Sequence, residues 1–517
     1  MKPAISSIIK YLQENWLPII TIIFVALTVW HKIPSQVPNG EGYCYFAQSN
    51  TIDYKHFFTH SLLNEYGLLA KIYFSILMPV FKNNLISYMV FQLVTMLIVY
   101  QTLYFVIVKI TKDKIMSFLT TLFFLANYVG SFTMLGIGNY HRFVQRVPNL
   151  IPVFISFYYL VKYLEKRKTK HLFLLLILYT ISIFLSHYNV FLLPIFAIYP
   201  FLHALINKRG KLLISAFFLS LFFVLSSILL TRGDSLSRPN DSPLTFIKNT
   251  PRLSEMVLYQ VPAVAFPQQL TRYLSKHSSP PIPFPYLRTQ EYVLIFVIAL
   301  FALACLKGQK YPKLLSLYLT FVLSLFILSF MIMYAYDSYP NPLKFFDEDR
   351  IYFVHSILIG FIWAALVKFF FGENKKLYKT VAFLIMIAFL THNTPFIWKG
   401  MDKYQYRSNM YQRFIDFIKG HTSSFNEQTV IIAPPDLIRT TEPFIRRYYK
   451  LQNNTFFVLE NDWINLVRKT KVDKKNVFVL DYKYSYDSKN DIDPLSVTIV
   501  DKSADFRSNK KIVPFVK

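Results

Sequence analysis

Apolar runs of membrane length recur along the chain, separated by short polar connections. They fall at about 16–33, 85–108, 115–135, 148–164, 171–187, 189–206, 212–231, 291–306, 314–334, 350–371 and 380–397. Several approach or exceed the roughly 18–20 residues that carry a helix across a bilayer. The pattern predicts a polytopic α-helical membrane protein of about eleven transmembrane helices. A further run, Leu68–Phe81, is short for a crossing. It reads as an interfacial or re-entrant helix on the membrane surface.

After Trp398 the pattern changes. Tyr411–Lys419 and Pro443–Leu451 read as helices, and Val430–Ala433, Phe456–Leu459, Val477–Leu480 and Val497–Val500 as short strands. Alternating strand and helix predicts a small α/β unit. The organisation is thus a membrane part, 1–398, followed by a C-terminal α/β domain, 399–517.

Charge orients this scheme. The 517 residues carry a net charge of +27, which by itself would suggest nucleic acid. The bases instead cluster in alternate connections: Lys109, Lys112 and Lys114; Lys162, Lys166, Arg167, Lys168 and Lys170; Lys208, Arg209 and Lys211; Lys307, Lys310 and Lys313; Lys368, Lys375, Lys376 and Lys379. Their acids are Asp113, Glu165 and Glu373. This is the positive-inside pattern, so no nucleic-acid partner is expected and the N-terminus is cytoplasmic. If Leu68–Phe81 crossed the bilayer, every later basic cluster would move outside. Lys2 and Lys10 precede the first run and no small-residue cleavage site follows, so that run reads as an uncleaved span. Two cysteines, Cys44 and Cys305, form no disulfide or metal framework.

The outer face then collects the connections 34–84, 136–147, 186–189, 232–290 and 335–349, and the C-terminal domain. The first carries Glu41, Asp53 and Glu65. Glu41 stands between Gly40 and Gly42, with Tyr43, Tyr45 and Phe46 following, in a chain of only 13 glycines. Glu65 opens the surface helix in the similar context NEYG. A loop carboxylate is usually only solvated, but two facing one cleft can divide the work of a general base and an orienting group. Asp53, in TIDYKHF, reads as a helix cap.

Arg142 and Arg146 lie on the face that the charge bias disfavours, and at their spacing they share one helical side. Paired guanidiniums suit a phosphate or diphosphate; snorkelling to headgroups is the competing reading. His141 adjoins them. His187 sits in a tight turn between two spans, where a polar residue is a functional candidate. Arg350 opens a span behind Asp347, Glu348 and Asp349 and can reach a phosphate. Arg252, Arg272, Lys276 and His277 are weaker substrate candidates in the Pro- and Ser-rich loop 232–290, which is too long to be a mere connector.

Taken together these residues resemble the GT-C superfamily of integral membrane glycosyltransferases, near its protein mannosyltransferase and aminoarabinose transferase branch. The resemblance rests on Glu41 with Tyr45, on Glu65-Tyr66-Gly67, on RVPNLIPVFISFYYLVKYLEKRKTKHLFLLLILY, on a polar turn before FLLP, and on DRIYFVHSILIG. It covers roughly 1–400. It implies a sugar donor on a polyprenyl phosphate, transfer on the outer face, Glu41 as the base that deprotonates an acceptor hydroxyl, and Glu65 as the second acid. It also implies that Arg142, Arg146, His187 and Arg350 face the donor phosphate. Lys- and Asn-rich loops fit an AT-rich bacterial genome, so a bacterial inner membrane is expected, and the charge bias puts the C-terminal domain on the extracytoplasmic side. The acceptor is a glycan, lipid or protein that the sequence does not specify. Family members often carry an Asp near Pro148 or Asn149, and this chain has none there. The departure weighs against a bound divalent metal; no cofactor is assigned, and a divalent metal stays open as the alternative. Two other readings compete. One is an O-antigen polymerase or ligase, disfavoured by the C-terminal domain. The other is a transporter or flippase, disfavoured because polar residues gather on one face rather than at mid-membrane.

Overall fold

The computed structural model describes residues 2–35, 76, 77, 79–82, 84–127, 143, 147–185, 192–207, 210–231, 299–335, 353–426, 429–449, 451, 455–458, 477–485, 496–501, 503 and 504. Among the described residues each apolar run coincides with at least part of a helix. In chain order these are α1 (Lys2–Trp30), α2 (Leu85–Thr111), α3 (Lys114–Leu125), α4 (Leu150–Lys166), α5 (Thr169–Leu185), α6 (Leu193–Ile206) and α7 (Gly210–Thr231). They continue with α8 (Ala299–Gly308), α9 (Pro312–Ala335), α10 (Phe353–Phe371) and α11 (Lys375–His421). Among the described residues, three segments are long and apolar enough to cross a membrane: Gln13–Trp30, Leu85–Thr111 and Lys375–Trp398. The protein is mostly helical, with few strands.

Local chemistry sets the helix ends. Asp113 caps α3 by accepting from the amides of Ile115 and Met116 at 3.1 and 3.0 Å. Asn374 caps α11 in the same way at 3.1 Å to Lys376 and Leu377. In this glycine-poor chain two helices end on a basic residue in the left-handed region: Lys112 after α2 (φ 58°) and Arg167 after α4 (φ 56°). Each returns its amide to a carbonyl of the last turn, at 2.8 Å to Val108 and Tyr163. A cation there also meets the negative end of the helix dipole, which offsets the backbone strain.

In the bundle α3 packs against α1, α2, α10 and α11, while α4 packs against α2, α5 and α6, and α9 against α6 and α10. Gly360 lets α10 approach α3 closely: a Cβ there would stand 2.9 Å from Phe123 Cβ and 3.0 Å from the Thr120 carbonyl. Small residues permit such backbone approach between apolar helices, where dispersion rather than the hydrophobic effect drives packing.

One end of the bundle is stitched by ion pairs, and they use the three acids of the basic connections. Asp113 Oδ2 meets Lys368 of α10 at 2.8 Å, and Asp113 Oδ1 accepts from Tyr378 Oη of α11 at 3.2 Å. Glu165 of α4 pairs with Lys162 at 3.2 Å and with Lys313 of α9 at 2.5 Å. Lys313 also donates to the Ile110 carbonyl of α2. Lys310 pairs with Glu373. Lys114 donates to the Glu14 carbonyl of α1 at 2.6 Å. The basic connections 109–114, 162–170, 307–313 and 368–379 therefore share this end.

The opposite end is tied differently. Trp30 Nε1 donates to the Leu125 carbonyl at 3.1 Å and Trp398 Nε1 to the Val29 carbonyl at 3.2 Å. Lys32 pairs with Asp402 at 2.6 Å.

The C-terminal strands are β1 (Val430–Ala433), β2 (Thr455–Val458), β3 (Val477–Ser485) and β4 (Ser496–Asp501), with helix α12 (Pro435–Tyr448) between β1 and β2. They form a sheet of order β2-β1-β3-β4. β1 is parallel to β2 and β3, and β4 is antiparallel to β3.

Several boundaries differ from the sequence reading. The run read at 115–135 is helical only as far as Leu125, where Ala126 is the C-cap. α11 does not stop at 397 and restart at 411; it runs unbroken for 47 residues, about 70 Å at 1.5 Å per residue. Its continuation past Trp398 buries Met401, Met410, Tyr411, Phe414, Ile415 and Ile418, an apolar row that needs a helix to stay in line. The second helix of the C-terminal part starts at Pro435, not Pro443, because Leu437, Ile438, Thr441 and Ile445 make one buried stripe. β3 continues to Ser485 because β4 keeps pairing with it after β1 has ended. Of Leu68–Phe81, only Ile76, Leu77 and Pro79–Phe81 are described, and they are helical.

Candidate functional site

The residues singled out for chemistry, Glu41, Glu65, Tyr45, His141, Arg142, Arg146, His187, Arg252, Arg272 and Arg350, all lie outside the described residues. The same holds for Asp53, Lys276 and His277. The structure does describe the helix ends between which those connections run. α1, α3 and α5 run away from the ion-paired end, and α2, α4 and α6 run back towards it. The connections 34–84, 136–147 and 186–191 thus all leave from the end opposite the ion pairs. So does 336–352, between the end of α9 and the start of α10.

Near those ends the structure holds two buried amides, Gln92, which sequence reasoning passed over, and Asn149, which it noted only for the missing Asp. Gln92, on the packed face of α2, is fully buried, and neither its Oε1 nor its Nε2 has a hydrogen-bond partner. Asn149, at the start of α4, is 1% exposed. Its Nδ2 donates to the Ser182 carbonyl of α5 at 2.8 Å, which leaves Oδ1 as a buried acceptor without a partner. An orphaned polar atom in an apolar bundle costs on the order of 1–3 kcal/mol. Gln92 is one of two glutamines in the apolar run 85–108; the other, Gln101, donates to the Ile19 carbonyl of α1 at 3.1 Å. Asn149 occupies the place where the resemblance leads one to expect an Asp. Its amide nitrogen is needed by Ser182, so an Asp there would set a carboxylate against a carbonyl.

An apolar cavity of ≈ 30 Å³ lies deeper, walled by Leu103, Ile107, Phe154, Phe157, Phe196 and Phe321. It has room for about one water and no polar wall to hold it, so it offers no chemistry. Among the described residues no three His, Cys, Asp or Glu side chains converge as a metal site.

No family model matches the chain, and no curated protein matches it.

Proposed function

We propose that this chain is a multi-pass inner-membrane glycosyltransferase of the GT-C type. It would transfer a sugar from a polyprenyl-phosphate donor to an acceptor hydroxyl on the face opposite the basic end. In this reading the helices α1–α11 are its eleven spans, the basic end faces the cytoplasm, and the C-terminal α/β domain stands outside with the outer connections.

One observation carries the reading. Three acids of the basic connections are occupied in ion pairs at one end, while the connections bearing Glu41, Glu65, Arg142, Arg146, His187 and Arg350 depart from the other. Carboxylates and guanidiniums on a single face suit surface chemistry. A transported substrate would instead need them at mid-membrane.

Glu41 takes the proton of the acceptor hydroxyl as its oxygen attacks the anomeric carbon. The bond from that carbon to the phosphate oxygen breaks, and polyprenyl phosphate leaves with the negative charge. Arg142, Arg146 and Arg350, with His187, stabilise that charge as it develops. Glu65 orients the acceptor.

The test uses membranes containing the full chain at matched levels. Wild type with polyprenyl-phosphate sugar releases polyprenyl phosphate as glycan forms, and Glu41→Gln loses this by about 100-fold or more, the range typical of a general base. Unchanged turnover in Glu41→Gln removes Glu41 from the mechanism. Absence of polyprenyl phosphate release by wild type with any sugar donor removes the reading itself.

A further inference from the structure

The basic end carries more than an orientation signal. Its acids are withdrawn: Asp113 onto Lys368, Glu165 onto Lys162 and Lys313, Glu373 onto Lys310. At the turn between α4 and α5 the side chains of Lys166, Arg167, Lys168 and Lys170 are all exposed. Among the described residues no carboxylate pairs with Lys166, Lys168 or Lys170. Arg167 reaches across to α7, where its Nη1 donates to Ser215 Oγ at 3.3 Å. That bond brings the α4–α5 turn against the first two turns of α7.

Just below the cations lies an aromatic layer. The Arg167 guanidinium sits 5.7 Å over the Tyr163 ring, Lys162 lies 5.7 Å over Tyr158, and Tyr159 stacks on His171 at 5.9 Å. Tyrosines beside cations mark the depth of lipid headgroups. Below them the exposed faces turn apolar: Phe173, Ile177 and Ile181 run down α5 at helical spacing, and Ile214, Phe218 and Phe222 down α7. Cations, then aromatics, then an apolar stripe is the profile of a diacyl phospholipid with an anionic headgroup. A soluble anion or a nucleic acid would have no use for the lower two layers.

We propose that the corner formed by the α4–α5 turn and the start of α7 is a docking site for an anionic phospholipid of the adjoining leaflet, with the phosphate at Lys166, Arg167, Lys168 and Lys170 and an acyl chain along Phe173, Ile177 and Ile181. The site is independent of the chemistry assigned to the opposite face.

The experiment measures phospholipid retained by the full-length protein in nanodiscs of mixed zwitterionic and anionic phospholipid, by native mass spectrometry. Wild type retains anionic lipid preferentially. The variant K166Q/K168Q/K170Q weakens that preference about fivefold per charge, on the order of a hundredfold in all. The variant K375Q/K376Q/K379Q, at the start of α11, leaves it in place. Equal retention by wild type and the first variant overturns the proposal, and so does an equal loss in the second, because the effect would then belong to net charge and not to this corner. Should the first variant fail to insert, wild type alone decides. Retention of anionic lipid must fall as salt shortens the screening length, and retention indifferent to salt overturns the assignment.

Discussion

Lys368 Nζ lies 2.8 Å from Asp113 Oδ2, and this pair joins α10 to the start of α3. Asp113 also caps α3 and accepts from Tyr378 of α11, so one carboxylate holds three helices at the basic end. Asp113→Ala loses the cap, worth about 1 kcal/mol, and leaves Lys368 unpaired in a partly exposed site, which adds roughly 1–2 kcal/mol. Asp113→Asn keeps an acceptor for the cap and loses less. Thermal unfolding of the purified protein orders wild type above Asp113→Asn above Asp113→Ala.

Glu165 and Lys313 respond to pH with different signs. Burial alone would raise the Glu165 carboxyl, but Lys313 and Lys162 together hold it below the ordinary carboxylate value. A depressed carboxyl contributes stability above its unfolded pKa, and this is lost as pH falls through the folded one. Burial pushes the Lys313 ammonium down, and Glu165 only partly restores it. A depressed ammonium favours the neutral form in the fold, so stability rises as pH climbs from the folded to the unfolded lysine pKa. Unfolding temperature thus falls on acidification through the carboxylate range and rises modestly in the alkaline range. Glu165→Gln flattens the acid limb and enlarges the alkaline gain. It also costs more at neutral pH than Lys313→Met, by about 1–2 kcal/mol, because Glu165 keeps Lys162 as a partner while Lys313 would lose its carboxylate.

Gly360→Ala puts a methyl where Phe123 Cβ and the Thr120 carbonyl already stand. Neither is the free end of a flexible side chain, so α3 and α10 must part. The expected cost is about 1–3 kcal/mol, visible as a lowered unfolding temperature. Gly210→Ala, with open space around it, lowers it little or raises it.

At the other end a hydrogen bond outranks an ion pair. Lys32 and Asp402 are 27% and 57% exposed, so Asp402→Asn changes stability by less than about 1 kcal/mol. Trp398→Phe removes the indole donor from the Val29 carbonyl and alters the edge contact with His31, at a cost of about 1 kcal/mol. Chemical denaturation of both variants gives the order.

Sidedness has its own test. With Cys44 and Cys305 replaced, single cysteines at Lys168 and Lys376 label with an impermeant maleimide from one side only. Cysteines at His31 and Asp402 label from the other. Labelling of all four from one side contradicts the spans assigned to α1–α11.

Much of this was legible in the chain. Long apolar runs mark α1–α11 among the described residues, and the strand starts at Val430 and Val477 are legible to the residue, because burial on both faces makes a strand a continuous apolar run. The end of β3 is not, since past Leu480 its residues are polar and aromatic, and only pairing with β4 keeps them in the strand. Nor was the unbroken α11: residues 399–410 are polar enough to read as a loop, and helicity there follows from the apolar row that resumes at Met410. The candidate residues Glu41, Glu65, Arg142, Arg146, His187 and Arg350 were chosen from local context alone, and they lie outside the described residues.

Sequence alone determined the helical membrane-like character, the alternation of basic connections and the strand positions, because these follow from local composition and period. Only the tertiary structure decided that Asp113, Glu165 and Glu373 each meet a lysine, that Gly360 is a point of close approach, that Asn149 spends its amide on Ser182, and that Arg167 draws α7 against the α4–α5 turn. Those facts join residues remote in sequence, and a charge or a hydrogen-bonding group takes its partner from whatever the fold brings within about 3 Å.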